Sequence, residues 1–108
     1  MLYGDSIDVR TAGRGMVELT SEIQARVGAM KVESGLCHLF VHHTSASLLL
    51  CENADRDVLR DMEAFFSRLV MDGNPSYIHR AEGPDDMAAH IRSVLTHTDV
   101  QIPIREGR

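Results

Sequence analysis

CHLFVHHTSASLLLCENADRD, residues 37–57, is the stretch from which the fold is read. Its first half alternates. Cys37, Leu39, Val41 and His43 fall on one side of an extended chain, and His38, Phe40 and His42 on the other. The first set is apolar until its last member, so this side faces a core and His43 sits where the buried face runs out. The small hydroxyl residues Thr44, Ser45 and Ser47 follow, then an apolar run, Leu48 to Cys51, and a turn into a helix at Glu52-Asn53. A histidine at a strand end, beside hydroxyls and a helix opening, suits a small polar ligand.

Working outward, Asn53 is the expected N-cap of a helix with Asp55 and Asp57 in its first turn. Val58, Leu59, Met62, Phe65, Phe66, Leu69 and Val70 form its apolar stripe, and Asp72-Gly73-Asn74-Pro75 ends it. Before the central strand, Ser21 and Gln24 offer a capping box, and Leu19, Ile23, Val27 and Met30 share one helical face that runs to Ser34-Gly35. Residues 2–11 and 16–19, joined through Ala12-Gly13-Arg14-Gly15, read as a hairpin. Residues 76–83 read as an ordered loop. Pro84 fits the first position of a third helix, with Met87, Ile91, Val94 and Leu95 on its buried face. Asp99 to Ile104 reads as a last strand before the turn signal Glu106-Gly107. The expectation is one α+β domain over residues 1–108, a mixed, mainly antiparallel sheet with two to three helices packed against it.

A net charge of -5 argues against a nucleic-acid partner, which needs a basic stripe to meet phosphates. A phosphorylated substrate is compatible only if arginine, backbone amides or a bound cation reverses the sign locally. No stretch approaches the ~20 apolar residues of a membrane span. The start, MLYGDSID, has no basic region or apolar core of a signal peptide, so a cytoplasmic protein without a membrane partner is expected. Cys37 and Cys51 lack CxxC spacing and read as reduced, buried, small hydrophobes.

Six histidines remain, at positions 38, 42, 43, 79, 90 and 97. His38 and His42 share the outer strand face with Phe40 and read as surface or subunit-interface residues, and His97 complements a helix dipole. His43, His79 and His90 are the candidates for chemistry. Each has a plainer role available, His90 as a hydrogen-bonded residue bordering the third helix's buried face and His79 as a solvated loop residue. Asp86, four residues before His90, is placed to orient that ring. Three imidazoles would suit Zn²⁺ or a similar divalent ion, but separations of 36 and 11 residues match no local zinc pattern. Ser45 and Ser47 lie close to His43, yet the GxSxG pattern of a serine hydrolase is absent.

HHTSASLLLCENADRDVLRDME, then YIHRAEGPDDMAAHIRSVL and VQIPIREGR, resemble the YjbQ-like family, often described as secondary thiamine-phosphate synthases. The resemblance covers nearly the whole chain, including the turn at Arg14-Gly15. It places His43, His79 and His90 on the family's characteristic histidines and implies a metal or anion site there, with Zn²⁺ or Mg²⁺ as the cofactor. It implies catalytic roles for His43, Asn53, Asp55 and Glu82, and ligand contacts for Thr44, Ser45 and Gly83. It further implies a homotrimer and a transferase that joins a hydroxymethylpyrimidine diphosphate to a thiazole phosphate with loss of pyrophosphate. Two other readings stay open: a non-catalytic metal- or anion-binding module, and a metal-dependent phosphoester hydrolase. Members of the family continue past Gly107-Arg108 into a Gly-Thr-Trp-Gln type segment and further strands, whereas this sequence has no tryptophan. The expectation is therefore a chain truncated relative to the family, marginal by itself and steadier when extended.

Overall fold

The computed structural model describes residues 2–52 and 54–108. Five elements follow in order: α1 (Thr20–Met30), β1 (Ser34–Phe40), α2 (Arg56–Leu69), α3 (Asp86–Leu95) and β2 (Asp99–Arg105). β1 and β2 pair in a two-stranded antiparallel sheet, so the class is α+β, as the sequence indicates. Two compact units are distinguished: residues 2–38 with Gln101–Arg108, and Leu39–Val100.

In the first unit, α1 covers the face set by Leu19, Ile23, Val27 and Met30, and Val27 is buried. The expected capping box does not form. Leu19 is the N-cap and makes no side-chain cap bond, because the helix opens at Thr20 and takes Ser21 into its first turn. Its end comes earlier than Ser34-Gly35. Lys31 turns left-handed (φ 56°) and donates its N–H to the Gly28 carbonyl, which frees Ser34 and Gly35 to begin β1. Alternation in β2 holds as read, with Val100 and Ile102 half-buried and Ile104 buried. The turn after it is also present, with Glu106 and Gly107 left-handed and the Gly107 N–H donating to the Glu33 carbonyl.

The N-terminal hairpin is not formed: among the described residues, 2–19 contain no strand. Only Ile7, Met16 and Leu19 of that stretch are partly covered, and a strand with no surface to pack on is not held by alternation alone. A tie to α1 comes instead from Asp5, which accepts from the Arg26 guanidinium.

The second unit starts inside β1. Cys37, Leu39 and Val41 alternate as half-buried residues with exposed His38, Phe40 and His42, and Phe40 meets the His42 ring edge-on at 4.9 Å. β1 stops at Phe40, and His43 is exposed rather than the last inward residue. Cys51 is exposed too, in contrast to the buried position expected, because cover along the Leu48–Cys51 run ends at Leu49.

Asp55, not Asn53, is the N-cap of α2, its carboxylate accepting from the Asp57 N–H at 2.9 Å. Asn53 lies outside the described residues. The α2 stripe is where the sequence puts it, but it is only part covered. Val58, Leu59, Met62 and Phe66 are half-buried, Phe65 and Leu69 are exposed, and burial is reached only at Val70.

α3 begins two residues later than Pro84 and turns a different face inward. Ala88 and Ser93 are buried, Met87 and Ile91 half-buried, and Val94 and Leu95 exposed. That face also carries polar residues bonded within the fold, although Arg92 Nε is buried without a partner among the described residues, and the apolar pattern does not reveal them. Ser93 donates to the Ala89 carbonyl, and one Nη2 of Arg92 donates to both the Val70 carbonyl (2.9 Å) and Asp72 (2.8 Å). Arg92 thus fastens α3 to the end of α2. Replacing it with alanine strips two acceptors of a charged donor, and Arg92→Ala is expected to lower unfolding stability by about 2 kcal/mol in urea titration. Unchanged stability would show that solvent satisfies both acceptors.

Candidate functional site

The site is built in the second unit from one loop, one helix and one turn. The loop leaves α2 through Gly73, whose N–H donates to the Pro84 carbonyl at 2.7 Å, so twelve residues are closed at the neck by a single backbone bond. Pro84 serves that neck rather than the first turn of α3. Inside, Asn74 Oδ1 accepts from the Ser76 N–H and the Asn74 carbonyl from the Tyr77 N–H, the local turn that asparagine favours. His79 is carried on this loop.

α3 supplies Asp86 in its first turn and His90 four residues on, the spacing that stacks side chains on one helical face. The turn after β1 supplies Thr44. It is held to the end of α3 by an antiparallel bridge between Leu48 and His97, and by Ser47, whose hydroxyl meets that of Thr96.

These pieces meet at one oxygen. Asp86 Oδ2 lies 2.8 Å from His79 Nε2 and 3.1 Å from His90 Nε2, and ligand atoms of the three residues all fall within 4.8 Å of one another. The two rings stand edge to face with centroids 5.6 Å apart. The His79 hydrogen bond holds the Asp86 carboxyl below its ordinary range, against the opposing effect of burial, so the group is ionised and only accepts.

Proton accounting then singles out His90. Its Nδ1 lies 3.1 Å from the Thr44 carbonyl, which cannot donate, so Nδ1 carries the proton. A neutral His90 therefore turns its Nε2 lone pair towards an ionised carboxylate oxygen. Two acceptors at that distance repel unless a proton or a cation lies between them.

His43 is not a member of this cluster. Its Nδ1 accepts from the Ser45 N–H at 2.9 Å and sits the same distance from the Ser45 hydroxyl. Since a backbone N–H always donates, the ring proton is on Nε2, and neither nitrogen has a free lone pair for a metal. In place of the expected trio of histidines, the structure brings together His79, His90 and Asp86. The signal in the sequence is the i,i+4 spacing of Asp86 and His90, which by itself points to ring orientation.

Other expected site residues are distributed as follows. Thr44 contributes its carbonyl to His90, and Ser45 is spent on His43. Glu82 is exposed, with Oε2 4.0 Å from His79 Nε2. Asp55 caps α2 and lies outside the cluster. Gly83 lines a hollow of about 440 Å³ next to His79 and has φ +109°, where a Cβ would come 3.2 Å from Asp85 Oδ1. Sequence reasoning passed over Arg80, which lines the same hollow and a second one of about 660 Å³.

Residues 5–108 match the family model described as UPF0047 protein YjbQ-like. The chain belongs to this family. A UPF0047 protein from Synechocystis is 51% identical over 100 residues, spanning 93% of this chain and 68% of the relative. The UPF0047 protein YjbQ of Escherichia coli O157:H7 is 43% identical over 109 residues, 100% of this chain and 78% of that protein. Among solved structures, a conserved hypothetical protein from Thermus thermophilus superimposes with a TM-score of 0.81 at 29% identity, over 94% of this chain and 76% of its own. The resemblance to the YjbQ-like family drawn from the sequence motifs is thereby established. Among the described residues, no helix is long and apolar enough to cross a membrane.

Two outcomes follow from the site's geometry. Because the Asp86 carboxyl is lowered in the folded state, its contribution to stability is present at neutral pH and is lost as pH falls through its folded value. Asp86→Asn should flatten the acid limb of the stability profile below about pH 4, measured by urea unfolding across pH. An unchanged acid limb would remove Asp86 from the linkage. Gly83→Ala, forced into a glycine conformation, should cost about 2 kcal/mol. Wild-type stability in that variant would mean the loop relaxes freely.

Proposed function

We propose that this YjbQ-like chain holds a divalent cation between His79, Asp86 and His90 and acts there on a small phosphorylated substrate. The observation that carries the reading is the convergence of ligand atoms of His79, Asp86 and His90 within 4.8 Å, with the His90 ring held by the Thr44 carbonyl at 3.1 Å. The residues present fit a cation. Three ligands from protein, with further positions left to solvent or substrate, is the pattern of catalytic rather than structural zinc. Two imidazoles and one carboxylate suit Zn²⁺ better than Mg²⁺, which prefers oxygen alone.

The reaction class follows from the family resemblance. In a thiamine-phosphate synthase type of transfer, the thiazole nitrogen bonds to the pyrimidine methylene carbon. The carbon–oxygen bond to the diphosphate breaks, and its electron pair departs with pyrophosphate. A cation at the site would neutralise the charge gathering on that leaving group. Thr44 keeps His90 in one tautomer, and Asp86 keeps both rings at one point. A phosphoester hydrolase is the second reading, favoured by exposed Glu82, whose carboxylate near His79 is placed to take a proton from water.

Metal analysis of the purified protein, followed by zinc titration calorimetry, tests the cation. The expected result is one zinc per chain, with His90→Ala weaker by about 100-fold and binding falling as pH is lowered, since a protonated imidazole cannot ligate. Equal affinity in wild type and a His79→Ala/His90→Ala double variant would overturn the reading. Incubating the loaded protein with the pyrimidine diphosphate and thiazole phosphate, and separately with a simple phosphomonoester, separates transfer from hydrolysis.

A further inference from the structure

We propose that Arg80 is the anion-recognising residue of this site, gripping one phosphate of the substrate beside the cation; this rests on the cation reading above. Arg80 follows His79 on the same loop, and the two line the same pair of hollows. Its guanidinium is held by two backbone carbonyls, Nε–H donating to Tyr77 at 2.7 Å and Nη2–H to Pro75 at 2.8 Å. A guanidinium has five N–H donors, so the two on Nη1 and one on Nη2 have no acceptor among the described residues. The acceptors are themselves fixed by the Asn74 turn. The guanidinium plane is therefore set before any ligand arrives, which removes most of the ordering cost of gripping one.

Charge gives the ligand's class. Glu82, Asp85 and Asp86 follow Arg80 within six residues, and the sequence as a whole carries -5. Among the described residues that line the two hollows, Arg80 is the one arginine or lysine. A planar fork of charged donors matches the paired oxygens of a phosphate and is always protonated. Beside a cation ligated by His79, it provides a second positive point for a two-ended ligand. A diphosphate has two such ends, one phosphate for the cation and one for the fork.

The alternative role is a clasp that merely folds the loop. Calorimetric titration with inorganic pyrophosphate, at fixed ionic strength, distinguishes the two in wild type, Arg80→Gln and Arg80→Lys, each with zinc and with EDTA. Arg80→Gln should weaken pyrophosphate binding about tenfold in both media, with Arg80→Lys intermediate and zinc affinity within about twofold of wild type. Unaltered pyrophosphate affinity in Arg80→Gln, or no pyrophosphate binding by the wild type, overturns the proposal. Parallel loss of zinc and pyrophosphate binding in both variants makes Arg80 a clasp and also overturns it. If the wild type binds no zinc while Arg80→Gln still weakens pyrophosphate in EDTA, the cation reading fails and the role of Arg80 stands.

Discussion

One carboxylate oxygen, Asp86 Oδ2, is the point on which the second unit's loop and helix agree. His79 arrives from a loop and His90 from a helix, and each turns Nε2 to that atom. Without an acceptor there, the two imidazoles would lose their shared partner, and only His90 would keep a second contact, to the Thr44 carbonyl. The oxygen works because the rest of α3 is tied down. Arg92 secures the helix to residues 70 and 72, and the Leu48–His97 bridge brings the Thr44 carbonyl to His90. Fold and site are thus linked through ordinary hydrogen bonds, most of them to backbone carbonyls.

The sequence disclosed the elements better than their inward faces. α2 was legible because its stripe is long and its flanks carry turn residues, although Asp55 rather than Asn53 proved to be its cap. α3 was legible as a helix, but its covered face includes Ser93 and Arg92, polar residues whose bonds are made within the fold. Apolar periodicity does not mark buried polar residues of this kind. The N-terminal hairpin fails for the opposite reason: among its described residues only Ile7, Met16 and Leu19 are partly covered, too little surface to hold a strand pair.

The histidines show the same division. Nothing in spacing joins His79 to His90, and the family motifs were what marked them. His43 carried the same motif signal, yet a contact two residues away, with Ser45, takes its lone pair. Local backbone donors compete for imidazole nitrogens, and sequence gives no measure of which competitor wins. Asp86 was visible as the partner of His90 but not as the shared acceptor, because that role depends on where a loop from outside the helix comes to rest.

The neck of that loop has a kinetic meaning. Gly73 and Pro84 close it with one backbone hydrogen bond, and proline has no N–H with which to make a second in return. Opening the neck, together with loss of the His79–Asp86 bond, frees His79 and Arg80 as one piece, while Asp86 and His90 stay on a helix that has its own anchor in Arg92. Local opening therefore divides the site into a mobile half and a standing half. Amide exchange would register the two as separate populations, with residues 76–83 opening at lower free energy than α3. The loop can then open without unfolding the helix, by breaking the bond at its base and the one from His79 to Asp86.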